Sequence, residues 1–366
     1  MPEFIVRTTG AEYAAVVQRG ILGQIAHWIP PKSGKIFVIT TQDVWQAHGN
    51  SLDAALGVSG TESSREILLF PGGEKNKRLS QVEALCEGML AGGADRSSLV
   101  IAFGGGIVGD VGGFVAASFM RGVKVLQVPT TLLAQVDAAT GGKTGVNLAG
   151  GKNLVGSFFQ PHAVLVDPNV LSTLPQREYV AGLYEVIKYG IIQTPWLFEL
   201  MEQQRDAVLA RDPETVDRLI AESVRIKADV VSQDEKESGL RRILNYGHTL
   251  GHALEAETAY TRLLHGEAVG FGMIAAALLA ERLGMLGAAE ATRIVDTVNG
   301  YGPIPSLAGV SAEKLCGLIY HDKKTIQGKV HFVLPERIGE VVVKSGIDPE
   351  TVLRATEDAL ARTRQA

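Results

Sequence analysis

Five short apolar runs punctuate the first half of the chain, at residues 36–40, 67–70, 99–103, 123–128 and 163–166. Helical patterns separate several of them. Apolar strands alternating with helices leave few options: a mostly parallel sheet with helices packed over it. After Pro175 the pattern changes to long amphipathic helical stretches. Strand signals return only at 329–334 and 341–344, a spacing that predicts a hairpin. The expected architecture is therefore a Rossmann-like α/β domain over 1–175, followed by a mainly α-helical domain over 176–366.

Composition narrows the function classes. A 366-residue chain with 46% hydrophobic and 20% charged residues is ordinary globular protein with ample material for a core. A net charge of −5 gives no global attraction to nucleic acid, so any basic site must be local. Cys86 and Cys316 stand alone, without metal-type or disulfide-type spacing, which predicts a reducing, cytoplasmic setting. The N-terminus lacks the basic and apolar pattern of a signal peptide, and the most apolar helical stretch, 268–280, is too short to span a bilayer. No membrane association is expected.

The densest chemistry lies in Arg241-Arg242-Ile243-Leu244-Asn245-Tyr246-Gly247-His248-Thr249-Leu250-Gly251-His252, followed by His265-Gly266-Glu267. On a helix, His248 and His252 share a face as i and i+4. Imidazole is a common metal ligand, and a third ring from the next segment would close a catalytic site. Spacing alone favours His248 and His252 as the ring pair. The guanidinium and amide nearby suit an anionic, oxygen-rich substrate. Upstream, Glu185 and Lys188 interrupt an apolar helical stretch at i, i+3; they read either as a structural ion pair or as a metal-binding carboxylate beside a substrate-binding lysine.

Phe103-Gly104-Gly105-Gly106-Ile107-Val108-Gly109-Asp110 follows an apolar strand and opens a helix, which suits close approach of a pyrophosphate. It fits G-x-G-x-x-G but lacks the acidic residue expected about twenty positions on. Two lysine loops follow, at 141–147 and 150–153. Gly142-Lys143-Thr144 resembles the tail of a Walker A loop, but Asp137 stands where that loop requires its first glycine, which argues against a nucleoside triphosphatase. Lysines on glycine-rich loops suit phosphate oxygens. Pro71-Gly72-Gly73-Glu74-Lys75-Asn76-Lys77 follows another strand, where open α/β sheets bind ligands.

In order, these motifs resemble the 3-dehydroquinate synthase family of sugar-phosphate cyclases over nearly the whole chain. The resemblance includes Pro-Thr-Thr-Leu-Leu-Ala-Gln-Val-Asp at 129–137, Glu-Val-Ile-Lys at 185–188, His-Gly-Glu-Ala-Val at 265–269 and Asp322-Lys323-Lys324. It implies a carbon–oxygen lyase that converts 3-deoxy-D-arabino-heptulosonate 7-phosphate to 3-dehydroquinate and phosphate, with NAD recycled within each turnover and Zn2+ or Co2+ required. It replaces the spacing-based choice: Glu185, His248 and His265 become the metal ligands, and His252 faces the substrate. Glu74, Lys77, Gly105, Gly106, Asp110, Thr130, Thr131, Lys152 and Thr173 fall on NAD-contact positions, with the adenosine-ribose partner open between Thr41 and Asp43. Asp137, Lys143, Asn153, Lys188, Lys227, Arg241, Asn245 and Lys324 fall on substrate positions. Of these, Lys227 and Arg241 would hold a carboxylate. Lys143, Asn153, Asn245 and either Lys323 or Lys324 would hold the phosphate. Arg121 matches an arginine that the family lends across a homodimer. The aminated analogue of the reaction has similar residue requirements. Two further activities compete with this reading: a cyclase acting on uncarboxylated sugar phosphates, and a metal-dependent polyol or glycerol-phosphate dehydrogenase.

Overall fold

The computed structural model describes residues 2–57, 65–321 and 330–366. They divide into two compact units, Met1–Pro175 with Ser223–Lys236, and Gln176–Glu222 with Glu237–Ala366.

The first unit contains, in chain order, β1 (Glu3–Arg7), β2 (Glu12–Val17), β3 (Ile36–Thr40), α1 (Gln42–Gly57), β4 (Arg65–Leu69), α2 (Leu79–Ala91), β5 (Leu99–Gly104), α3 (Gly106–Ser118), β6 (Lys124–Pro129), β7 (Lys143–Leu148), β8 (Gly151–Phe158) and β9 (Ala163–Val166). Among the described residues, seven strands form one sheet in the order β1-β2-β9-β6-β5-β3-β4. Every pairing is parallel except β1 with β2. The central strands are buried on both faces. Ile36, Val38, Ile101 and Leu126 belong to one apolar cluster, while Phe37, Ile39, Val100 and Val125 belong to another. This is why those strands read as continuous apolar runs: alternation disappears when both faces are covered.

The topology places the ligand end. The chain leaves β3 for the edge strand β4, then returns to the other side of β3 as β5. In open parallel sheets, the carboxyl ends of strands at such a reversal form a binding crevice. Here those ends lead into Thr41, the 70–77 segment and the glycine loop. β7 and β8 form a separate antiparallel hairpin. The two lysine motifs read from sequence as loops are therefore largely strand: Lys143 opens β7, and Lys152 lies near the start of β8.

The second unit is mainly helical. It contains α4 (Gln176–Ile192), α5 (Pro195–Gln203), α6 (Arg205–Leu209), the first half of α7 (Pro213–Gln233), α8 (His248–Glu257), α9 (His265–Arg282), α10 (Ala288–Tyr301), α11 (Ala312–His321), and α12 (Pro349–Arg362). The expected hairpin is β10 (His331–Arg337) paired with β11 (Glu340–Ser345). α9 is buried without a break from Gly266 to Ala280 and is packed by α4, α8, α10 and α12. A helix apolar all round belongs at the centre of its bundle. Among the described residues, no helix is long and apolar enough to cross a membrane.

Residues 223–236 join the first unit, although the sequence-based division placed them in the second. The amphipathic period of α7 runs on without a break, so nothing in it marks the transfer. The contacts do: the Arg7 backbone N–H donates to Ser232 Oγ at 3.0 Å, Gln160 Nε2 donates to Glu235 Oε1 at 2.8 Å, and Lys227 Nζ lies 2.7 Å from Asp137 Oδ1.

Candidate active site

In the second unit, Glu185 lies midway along α4, fully buried. His248 is the first residue of α8 and His265 the first of α9. Their Nε2 atoms lie 3.7 Å and 3.9 Å from Glu185 Oε1. Tetrahedral zinc with bonds of about 2.1 Å separates its ligand atoms by roughly 3.4 Å, close to this spacing. Lys188 makes an ion pair with Glu185 Oε2, while Oε1, which faces both rings, accepts no hydrogen bond. Lys188 compensates one side of the buried carboxylate, and an unsatisfied oxygen facing two imidazoles is costly unless something cationic sits among them. The donor set therefore fits a divalent metal.

Both rings are oriented from behind. His248 Nδ1 lies 3.0 Å from the Tyr246 carbonyl, which can only accept, so Nδ1 carries the proton and the Nε2 lone pair is free for metal. Burial holds the His248 pKa well below the usual histidine range; the charges of Lys188, His252 and His265 add to the effect. The ring is thus neutral near pH 7, as a ligand must be. His265 Nδ1 lies 3.3 Å from Glu255 Oε2, a carboxylate placed to orient the ring. Local backbone geometry supports the arrangement. Gly247 adopts φ +79° just before α8, and Leu264 N–H donates to Glu267 Oε2 at the start of α9. Glu267 is gripped in turn by Arg177 through bonds of 2.7 and 2.8 Å.

His252 lies one turn beyond His248, exposed, with its ring centroid 5.9 Å from that of His265. It belongs to a second cluster with Glu255 and His265. The Glu185 cluster fits a metal better, because there the carboxylate is fully buried and its Oε1 faces two ring nitrogens without a hydrogen bond. Arg241 is buried at 1% exposure. Asn245 Nδ2 donates to Glu237 Oε1. Lys323 and Lys324 lie outside the described residues.

In the first unit, Gly105 and Gly106 form the turn between β5 and α3, and Asp110 lies one turn into that helix. Thr130 and Thr131 follow β6 directly. Thr41, Asp43, Gln46, Leu69 and Pro71 line a cleft of about 440 Å³, so Thr41 and Asp43 both remain candidates for the ribose contact. Thr173 Oγ1 lies 2.7 Å from His48 Nε2. Lys77, matched to an NAD position, is 3% exposed; its ammonium lies 2.5 Å from both Asp110 Oδ2 and Asn153 Oδ1. An ammonium can only donate, so Asn153 Oδ1 is committed and its NH2 end is left to meet an anion. Asp137 sits on a π-helical turn, a feature frequent at functional sites, and pairs with Lys227. Lys143 is exposed, and Lys152 Nζ lies 3.9 Å from Glu74 Oε1. Arg121 is exposed with φ +67°, next to Met120 at φ +47°.

Sequence reasoning missed Glu255, Tyr246, Glu237, His48 and Asn147. Glu255 had a readable signal: it lies three residues after His252 on the helix carrying the histidines. Asn147 had none.

Known proteins resemble this chain over nearly its whole length. The family model described as 3-dehydroquinate synthase N-terminal matches residues 67–181, and the C-terminal model matches 182–325. A 3-dehydroquinate synthase of Solibacter usitatus (strain Ellin6076) is 61% identical over 362 residues, covering 99% of this chain and 100% of the relative. That of Koribacter versatilis (strain Ellin345) is 49% identical over 356 residues, covering 96% of each. Among solved structures, a 2-deoxy-scyllo-inosose synthase complexed with carbaglucose-6-phosphate, NAD+ and Co2+ superposes with a TM-score of 0.86 at 26% identity, covering 97% of this chain and 99% of that one. The 2-epi-5-epi-valiolone synthase of Streptomyces hygroscopicus subsp. jinggangensis 5008, with NAD+ and Zn2+ bound, gives 0.87 at 27% identity, covering 96% and 98%. With both family models matched end to end and a full-length relative at 61% identity, the chain belongs to the 3-dehydroquinate synthase family.

Proposed function

We propose that the protein converts 3-deoxy-D-arabino-heptulosonate 7-phosphate to 3-dehydroquinate and phosphate, as a cytoplasmic homodimeric lyase using NAD and Zn2+ or Co2+. The observation that carries the reading is the buried Glu185 Oε1, without a hydrogen bond, facing His248 and His265 in a chain matched along its length by this family.

When bound, NAD would supply reversible hydride uptake, and the cation would supply polarisation of substrate oxygens. Glu185, His248 and His265 would hold the cation through one carboxylate and two neutral rings. Lys188, beside Glu185, supplies donors to a neighbouring substrate oxygen. Arg241 offers the planar fork suited to a carboxylate, and Lys227 adds a second cation. Asp137 accepts from a substrate hydroxyl while Lys227 balances its charge. Asn153, Lys143, Asn245 and either Lys323 or Lys324 would hold the phosphate that leaves. The substrate phosphate itself takes the proton lost on elimination. Glu74, Lys77, Gly105, Gly106, Asp110, Thr130, Thr131, Lys152 and Thr173 form the NAD side, with Lys77 acting through Asp110 and Asn153.

The homodimer reading rests on Arg121 and its surroundings. Met120 is 40% exposed, and the β7–β8 hairpin exposes Leu154 and Phe158 at 53% and 45%. Exposed apolar side chains in the same unit, and a cation beside Met120 at positive φ, suit a reciprocal interface that lends the cation to a partner.

Purified protein supplied with metal and NAD+ should release phosphate from the heptulosonate phosphate without net NADH. Stoichiometric NADH accumulation would overturn the reading and favour a dehydrogenase.

A further inference from the structure

Asn147 is the penultimate residue of β7 and is 5% exposed. The β7–β8 register shifts at this residue: Val146 pairs with Val155 and Leu148 with Gly151, leaving Asn147 out of the ladder. One residue of β7 thus faces three of β8, residues 152–154, and irregularities of this kind recur next to functional sites. The backbone N–H of Asn147 donates instead to the Lys77 carbonyl at 2.8 Å.

The side chain has a partner at each end. Its Oδ1 accepts from the Asn153 backbone N–H at 2.8 Å. Its Nδ2 donates to Glu74 Oε1 at 2.8 Å and approaches the Glu74 carbonyl at 3.3 Å. Because a backbone N–H only donates and a carboxylate only accepts, the amide orientation is fixed. One amide therefore spans the 70–77 segment and the turn of the hairpin. Asn153 is also held by Lys77 and adopts φ +54°. An asparagine in the left-handed region keeps that conformation when its surroundings hold it there.

We propose that Asn147 is a positioning residue that couples the cofactor side, through Glu74, to the phosphate side, through Asn153. The proposal rests on the reading of Glu74 and Asn153 as cofactor and phosphate contacts. The two ends of the amide do separable work. Its oxygen sets where the Asn153 NH2 group is presented, and its nitrogen sets the Glu74 carboxylate.

Two variants of the full-length protein, loaded with metal, separate these ends. N147L removes both hydrogen bonds at similar volume. N147D keeps an oxygen for the Asn153 N–H but places a carboxylate against Glu74. For N147L, the KM values for NAD+ and for the heptulosonate phosphate should each rise about tenfold, the scale of one lost hydrogen bond. For N147D, the KM for NAD+ should stay raised about tenfold, while that for the sugar phosphate returns to within about threefold of wild type. Equal losses on both sides in N147D, or a loss confined to the sugar phosphate, overturn the proposal, as does N147L with both constants unchanged. A merely structural role lowers the melting temperature without this split, and if N147L fails to fold the split in N147D decides alone. Calorimetric titration with NAD+ and with inorganic phosphate reads the same split without turnover. A protein inactive on the heptulosonate phosphate would sink the proposed reaction while still testing the coupling.

Discussion

The approach of α9 to α4 sets the distance between Glu185 and His265, and one glycine permits it. Gly266 directly follows His265. A Cβ built on it would fall 1.8 Å from the Ala181 carbonyl oxygen and 2.6 Å from the carbonyl carbon. Ala181 lies one helical turn before Glu185 on α4. A methyl carbon does not approach a carbonyl oxygen closer than about 3 Å, so in Gly266→Ala the start of α9 must retreat by about 1.2 Å. Glu185 Oε1 and His265 Nε2 now lie 3.9 Å apart. Displaced along that line, they would be separated by roughly 5 Å, beyond the roughly 4.2 Å that two bonds to one zinc ion can span.

The expected result is a loss of zinc affinity of at least 10–100-fold, the scale seen when the support of a ligand is disturbed. Overpacking adds about 1–3 kcal/mol of destabilisation. At roughly 2–4 °C per kcal/mol for a unit of this size, metal-free protein should melt some 2–12 °C lower. Competition against a chromogenic chelator measures the affinity, and calorimetry with and without zinc measures the melting. Gly317→Ala is the control, because nothing lies within 4 Å of the added Cβ inside α11. That substitution should stabilise by about 0.5–1 kcal/mol through helix propensity. If Gly266→Ala binds zinc as tightly as wild type and melts at the same temperature, close packing of α9 on α4 is not what positions His265.

Arg241→Lys should lower kcat/KM for the carboxylated substrate by at least about 100-fold, because an ammonium cannot reproduce a bidentate grip in a buried site, while calorimetric NAD+ affinity stays unchanged. Equal kinetics would instead point to an uncarboxylated sugar phosphate. Arg121→Ala should reduce activity without lowering the melting temperature. Mixing it with metal-dead His248→Ala should restore one site per heterodimer, since the subunit that keeps its metal receives the intact arginine of its partner. Heterodimers no more active than either parent would place Arg121 in its own subunit's site.

What could be read from the sequence follows from how far each signal depends on distant parts of the chain. β3, β5, β6 and β9 were legible because burial on both faces leaves unbroken apolar runs. β1 was not, because it is an edge strand whose Glu3 and Arg7 point to solvent. The β7–β8 hairpin was hidden by its glycines, which read as loops. Gly145 and Gly156 instead allow the two backbones to meet: a Cβ on Gly156 would lie 2.0 Å from the Thr144 carbonyl oxygen. In the candidate metal centre, spacing favoured His252 because i, i+4 is a local rule. The geometry brings His265 to Glu185 from a different helix, and that convergence depends on packing at Gly266, far from any helical period. The same limit hid Asn147. A single amide in a glycine-rich strand carries no pattern, and its meaning arises only where the register shift leaves it between Glu74 and Asn153. Local periodicity thus reports which residue types are present, whereas the approach of backbones that only glycine permits decides which of them meet.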